Sequence, residues 1–351
     1  MTTLRYSTAG VARYVEEILL RMDAKPVDAR RVAEALTLSD RVGHASHGVR
    51  QLPYYADQIR AGEIDVTGST EVVDDLGSML VLDGNFGFGH VSAMEAAVLA
   101  SERARRDRVA IVGLRRANHI GRLGEYTELI AAAGQAAILL ATCEGTGQQV
   151  APFGGLDRRL TNNPVSLAVP GDDFPIVLDM ALSAVAESRV FHAIEKETEI
   201  PEGWVFDRDG NSTTDPNAYN DGGSLVPVGG ASGGHKGYAL TVLVELIVGM
   251  LARTRICGAE DRPFSNAYAL IVIDDGQGAK HRELADFMAW VRSSRTRPDV
   301  AEILIPGEIE ERHRRANVET IPLDASTIGL LDDLAETVGI TSSLANRSGQ
   351  I

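Results

Sequence analysis

The spacing of apolar residues changes once along this chain, near residue 70, and that change narrows the folds open to it. Before it, Val11, Tyr14, Val15, Ile18, Leu19 and Met22 recur at the three- and four-residue intervals of one helix face. Asp28 is placed to cap a second helix running through Ala35 and Leu38. A third helix, over 54–61, stops at Gly62. The first 70 residues therefore predict an all-helical segment. Beyond Thr70, short apolar runs alternate with helical stretches. Strands are predicted over 79–83, 109–114, 136–142, 165–169, 176–178, 269–273 and 303–305, and helices over 91–107, 125–133, 282–292 and 327–337. Residues 202–234, rich in Gly, Pro, Asn and Asp, predict a long connection. A buried helix follows from near Lys236. Its apolar stretch, 238–251, carries Glu245 and is shorter than the roughly 20 residues of a bilayer span.

This pattern predicts an α/β protein in two parts. Residues 1–75 and about 312–351 form a separate helical domain, and 76–311 form the α/β body. A net charge of −15 disfavours nucleic acid, whose phosphates it would repel. The arginine clusters at 103–108 and 312–315 sit beside Glu102, Glu310 and Glu311 and read as solvated helix faces. Cys143 and Cys257 form no Cys-x-x-Cys pair and read as reduced thiols. The first residues lack a signal-peptide pattern. A cytoplasmic protein with no membrane partner is expected.

Gly84, Gly87 and Gly89 give the glycines of a dinucleotide loop in the wrong order. Lys236 lies in His-Lys-Gly rather than in a Walker loop. This argues against the usual nucleotide folds, though not against nucleotide binding. His44 and His47 lack a nearby third ligand, so no metal is expected. Gly230-Ala231-Ser232-Gly233-Gly234 matches the serine-hydrolase elbow but follows a poor strand, and reads as a glycine-rich loop entering a helix.

What remains are four polar islands at the ends of apolar elements: Ser46-His47-Gly48, Asn118-His119-Ile120-Gly121, Asp179-Met180 and His235-Lys236-Gly237. They suit hydride transfer to a carbonyl, because the alkoxide formed needs a proton and histidine titrates near neutrality. Lys236 at a helix start is unfavourable unless an anion such as phosphate sits there.

An ordered set of short strings resembles the malate/L-lactate dehydrogenase family of the second, non-Rossmann type. They include Gly43-His44-Ala45-Ser46-His47-Gly48-Val49, Asn118-His119-Ile120-Gly121, Ile176-Val177-Leu178-Asp179-Met180-Ala181, His235-Lys236-Gly237-Tyr238 and Ile305-Pro306-Gly307-Glu308. The family includes malate, sulfolactate and ureidoglycolate dehydrogenases, diketogulonate reductase and cyclic-imine-acid reductases. The resemblance implies a homodimer with a helical domain and a non-Rossmann, mixed-sheet domain that binds NAD or NADP. It implies His47 as acid/base, a catalytic duty for His119, and Ser46 and Asp179 as members of a proton relay. Asp179, Met180, Ala181, His235, Lys236, Gly237, Gly307 and Glu308 would contact the cofactor.

The sequence departs from the family where an arginine is expected four residues past the histidine. That position is Gln51, with Arg50 beside it, so these two are the candidate substrate-binding residues. Ser188-Arg189 stands where the family often has Gly-Lys. The reading is an oxidoreductase of a small 2-oxo/2-hydroxy acid, with His47 and Lys236 bordering one cleft. The alternatives are a reductase of cyclic imine acids and a non-catalytic, cofactor-binding family member.

Overall fold

A computed structural model describes residues 4–256, 258, 263–277 and 282–348; Cys257 lies outside them. The chain opens with β1 (Leu4–Ser7), followed by α1 (Thr8–Arg21) and α2 (Pro26–Arg41). Two single turns of 3-10 helix, Ala45–His47 and Val49–Gln51, lead into α3 (Leu52–Ala61). The strands β2 (Glu71–Asp75) and β3 (Met79–Asp83) precede α4 (Gly89–Asp107), β4 (Val109–Ala117), α5 (Gly124–Ala132) and β5 (Ala136–Thr142). Then come β6 (Val165–Val169), β7 (Ile176–Met180) and α6 (Glu187–Glu195). Three two-residue strands follow: β8 (Val205–Phe206), β9 (Ser212–Thr213) and β10 (Ser224–Leu225). The chain continues through α7 (Gly230–Leu251), β11 (Asn266–Ile273), α8 (Arg282–Arg292) and α9 (Glu308–Ala316). It closes with β12 (Thr320–Leu323), α10 (Ala325–Thr337) and α11 (Leu344–Ser348).

The central sheet runs β2-β3-β4-β11-β5-β6-β7. Only β3 and β4 pair in parallel, joined by α4 as a crossover; every other neighbour is antiparallel. A sheet with one parallel pair lacks the reversal of parallel strand order that makes a doubly wound nucleotide site. The mixed-sheet, non-Rossmann α/β expectation therefore holds.

The N-terminal helices form as the periodicity predicts. Ser7 caps α1 by accepting from the Gly10 N–H (3.2 Å), and Val11, Tyr14, Val15, Ile18 and Leu19 are buried. Their core is shared: Ile321 and Leu323 of β12 and Leu331, Leu334 and Leu344 beyond it pack into the same cluster. β1 and β12 pair antiparallel from Leu4↔Leu323 to Ser7↔Thr320 and fasten the two ends of the chain together.

Several expectations need correction. The first 70 residues are not all helical, since β1 lies among them. The second helix starts at Pro26, so Asp28 sits inside its first turn rather than capping it. Residues 303–305 form no strand; the segment meets β7 through one backbone bond, Val177 N–H to the Pro306 carbonyl (3.2 Å). The connection over 202–234 contains β8, β9 and β10, and α6 was not foreseen.

The apolar helix near Lys236 is the largest departure. It starts at Gly230, so the serine-hydrolase-like string is its first turn. By length and composition α7 is apolar enough to cross a membrane. Here one face packs on β5 and β11, and buried Glu245 accepts from Thr142 Oγ1 (2.6 Å) and Asn163 Nδ2 (2.8 Å). The other face is not buried: Leu240, Leu243, Leu246 and Met250 are 45%, 54%, 48% and 68% exposed.

Ile321→Ala tests the shared terminal core. The side chain is fully buried on β12, and its truncation should lower unfolding stability by about 2–5 kcal/mol in a urea titration. A shift under about 0.5 kcal/mol would show that β12 contributes little to the N-terminal core.

Candidate active site

The site begins where α2 ends. His44, Ser46 and His47 lie in the tight stretch between α2 and α3, which a buried carboxylate shapes. Asp40, near the end of α2, accepts from the Val49 N–H (2.8 Å). A Cβ at Gly48 would stand 2.1 Å from Asp40 Oδ1, so glycine is required for this close approach. Burial pushes the Asp40 carboxyl up to about 8, against the Val49 bond, so it keeps its proton near neutrality.

His47 comes from this stretch, and His119 from the loop after β4. His119 is held by its own N–H donating to Asn118 Oδ1 (2.7 Å), and the next residue by Ile120 N–H donating to Asn266 Oδ1 (3.1 Å). The two imidazoles lie nearly parallel, with centroids 5.9 Å apart and planes at 17°. Ser46 Oγ meets His47 Nδ1 at 3.0 Å, and Tyr55 Oη meets His119 Nδ1 at 2.6 Å. Burial lowers both rings. His47 falls to about 3, helped by His119, His44 and Arg122, and His119 falls to about 4. Both are neutral at pH 7.

These rings border a cleft of about 700 Å³, within the usual range for small-molecule sites. Its walls carry Asp179, Met180 and Ala181 from β7 and just beyond, and Gln149, Asn162 and Asn266 as amides. Asp179 Oδ2 accepts from the Gly124 N–H (2.7 Å), and burial raises its carboxyl against the opposing Arg122 charge. Among the described hydrogen bonds none joins Asp179 to Ser46. Arg122 is itself buried and bonded twice to Glu128, at 2.8 and 2.9 Å.

The structure separates the two substrate candidates from the cleft's charge. Arg50 is engaged with Glu195 at 2.7 and 2.8 Å. Gln51 lines the cleft, but its amide donates to the Ser46 carbonyl (2.6 Å). Arg189, on α6, also lines the cleft and has no ion pair among the described residues. His44 lines it too but bonds Glu310 Oε1 of α9 (3.1 Å), and no metal-binding cluster occurs among the described residues.

The other cofactor candidates do not line the cleft. Lys236 is the seventh residue of α7 rather than its first, so the argument from a cation at a helix start falls away. Lys236 and His235 are exposed, and His235 packs against Phe153 at 5.7 Å between centroids. The helix they occupy nevertheless starts two residues after Val228, a lining residue. Gly307 packs beside Pro175 and Val177 at the opposite end of β7 from Asp179. Glu308 accepts from the Ile305 N–H (3.0 Å) and pairs with Arg292 and Arg312 (both 2.7 Å), which holds its carboxyl down to about 2.

Sequence reasoning missed Tyr54, Tyr55, His90, Gln149 and Arg189. Arg189 had a signal, since it occupies the family's Gly-Lys position. Tyr55 and His90 sit among apolar residues at helical spacing, where nothing local marks them as polar partners of His119.

A nicotinamide needs a flat apolar slot edged by amide partners. Met180, Ala181, Pro164 and Val185 supply apolar wall, and Gln149 Oε1 is buried with no partner. An unmet buried acceptor beside the cleft fits the carboxamide N–H of such a ring.

Residues 6–332 match the malate/L-lactate dehydrogenase family. An L-lactate dehydrogenase of Cupriavidus necator is 35% identical over 94% of this chain and 97% of that protein. The solved malate dehydrogenase of Pyrococcus horikoshii superposes with a TM-score of 0.86, at 28% identity and covering 96% of each chain. The delta1-piperideine-2-carboxylate reductase of Pseudomonas syringae superposes with a TM-score of 0.81, at 27% identity over 95% of this chain and all of that one.

Asp40 yields a pH prediction. Its carboxyl ionises near 3.8 when unfolded and near 8 when folded. Between those values the unfolded chain holds fewer protons, so this contribution to stability is complete at low pH and is lost as pH rises through about 8. Asp40→Asn keeps the shape without the titration. Melting temperatures from pH 5 to 8 should therefore fall more steeply for the wild type than for the variant. Parallel curves would mean that Asp40 is ionised throughout.

Proposed function

The chain belongs to the malate/L-lactate dehydrogenase family, and from that premise we propose that it transfers hydride between NADH or NADPH and a small 2-oxo/2-hydroxy acid in the cytoplasm. It is an oxidoreductase acting on a CH–OH group. The observation that carries the finer reading is the pair of neutral imidazoles, His47 and His119, facing one cleft with Asp179, Met180 and Ala181.

A bound nicotinamide supplies or accepts the hydride. The residues that would hold it are Met180, Ala181 and Gln149 at the ring. Gly307 beyond β7 and Lys236 of α7 are candidates for its remoter parts. The chain's own task is the proton. His47, neutral and partnered through Nδ1 by the Ser46 hydroxyl, is suited to take the hydroxyl proton of the hydroxy acid. In the reducing direction a bound carboxylate opposes the burial that depresses His47 and favours its charged form. Reduction should accordingly slow as pH rises, while oxidation speeds up.

Arg189 is the cation for the substrate carboxylate. Arg50 is held by Glu195 and Arg122 by Glu128, whereas Arg189 lines the cleft without an ion pair among the described residues. A reductase of cyclic imine acids is the second reading. It is supported by the superposition on the piperideine-carboxylate reductase.

His47→Ala should lower turnover by about 100-fold or more while NADH or NADPH binding, read by fluorescence, persists. Arg189→Leu should raise KM for the acid far more than it lowers kcat. A His47→Ala protein near full rate would refute the acid/base assignment. Assays of pyruvate, oxaloacetate, sulfopyruvate and cyclic imines with each cofactor separate the two readings.

The homodimer implied by the family resemblance would cover the exposed face of α7, since four large apolar side chains on one face call for a partner. Leu243→Glu with Met250→Glu should halve the mass seen by light scattering. An unchanged dimer would place the interface elsewhere.

A further inference from the structure

The His119 ring is backed by a buried chain of polar groups that the proton chemistry above does not use. Tyr55 Oη lies 2.6 Å from His119 Nδ1 and 3.1 Å from His90 Nε2. Tyr55 is 2% and His90 1% exposed. His90 Nδ1 has no hydrogen-bond partner. The ring is seated against the backbone of Gly121, where a Cβ would stand 2.1 Å from His90 Cε1 and 2.9 Å from Nδ1. The glycine of the Asn-His-Ile-Gly string thus makes room for His90.

Three groups in a row share few hydrogens, and the end of the row decides how they are placed. Burial holds His90 well below its usual range and Tyr55 above its own, so His90 is a neutral imidazole and Tyr55 a phenol. The neutral ring of His90 carries one proton. On Nδ1, that proton would make a buried N–H with no acceptor, the rarer and costlier kind of orphan. On Nε2, it donates to Tyr55 Oη and leaves only a lone pair unmet. Tyr55, having accepted from His90, turns its own hydrogen to His119 Nδ1. His119 must then carry its proton on Nε2, the nitrogen left for the cleft.

We propose that Tyr55 and His90 are positioning residues that lock His119 as the Nε2–H tautomer, making it a fixed hydrogen-bond donor to the substrate's carbonyl or alcohol oxygen. This rests on the reading of the cleft as the hydroxy-acid site. It divides the labour between the two imidazoles. Ser46 Oγ can donate or accept, so His47 is free to gain and lose a proton, whereas His119 is committed to one form. A donor fixed in place stabilises charge developing on oxygen without reorganising.

Nitrogen-15 spectra of histidine-labelled full-length enzyme report the tautomer directly, with His119→Gln used to assign the signals. The expected result is a pyridine-like Nδ1 and a pyrrole-like Nε2 for His119 near pH 7. Tyr55→Phe removes the hydroxyl and should mix the tautomers, lowering kcat on the order of 100-fold with KM little changed. His90→Leu should do the same, and His90→Gln, which keeps an N–H for Tyr55, should restore the pattern. A wild-type His119 protonated on Nδ1 overturns the proposal, and this readout needs no variant to fold. Unaltered His119 signals or unaltered kcat in Tyr55→Phe also overturn it. If the wild-type His119 signals are as stated while His119→Ala keeps full turnover, the tautomer assignment stands and the donor role of His119 falls.

Discussion

The site exists only because the α2–α3 segment is fixed against the sheet. His47 belongs to the first and His119 to a loop of the second, and their rings must be held side by side across that seam. Three kinds of contact do so. Phe88 and Val91, at the start of α4, pack into the core of the N-terminal helices. Arg31 of α2 pairs with buried Glu125 of α5. Tyr55 of α3 bonds both His90 and His119. The apolar contacts supply most of the adhesion, and the buried polar ones fix the register, because a slipped seam would leave each of them unmet.

The same burial that orders the site sets its electrostatics. Burial disfavours the charged forms of both imidazoles, and His119, His44 and Arg122 add to the effect on His47. The two rings that face the cleft are therefore neutral near pH 7. An anionic acid entering it supplies the negative charge that permits protonation, which ties readiness for reduction to the presence of the right substrate.

Much of this was legible in the sequence wherever one element's own pattern decides the outcome. The helical spacing of Val11 to Met22 and the apolar runs of β3 to β7 are local facts, and they became the elements expected. His47, His119, Asp179, Met180 and Ala181 were named from short strings, and the cleft brings them together. What failed depended on contacts between distant segments. β1 is four residues long and is a strand only because β12, more than 300 residues later, pairs with it. Nothing in the composition of α7 says which of its apolar faces the sheet covers. Lys236 was expected at a helix start, but the helix begins a turn and a half before it, through glycines that normally break helices. Arg50 looked free in the sequence because Glu195, its partner, lies 145 residues away.

The contact between Asp40 and Gly48 has a consequence for how such a chain can change. Position 48 takes no side chain while residue 40 keeps its shape, and position 40 takes only a residue of that shape with an acceptor for the amide, such as asparagine. A side chain at 48 collides with the carboxyl at 40, and a shorter residue at 40 opens space while abandoning the amide of Val49. A side chain at 48 therefore needs a matching change of shape at 40. Libraries built to retarget the enzyme will recover little by varying the Ser-His-Gly stretch alone, and more by diversifying residue 40 in the same clone.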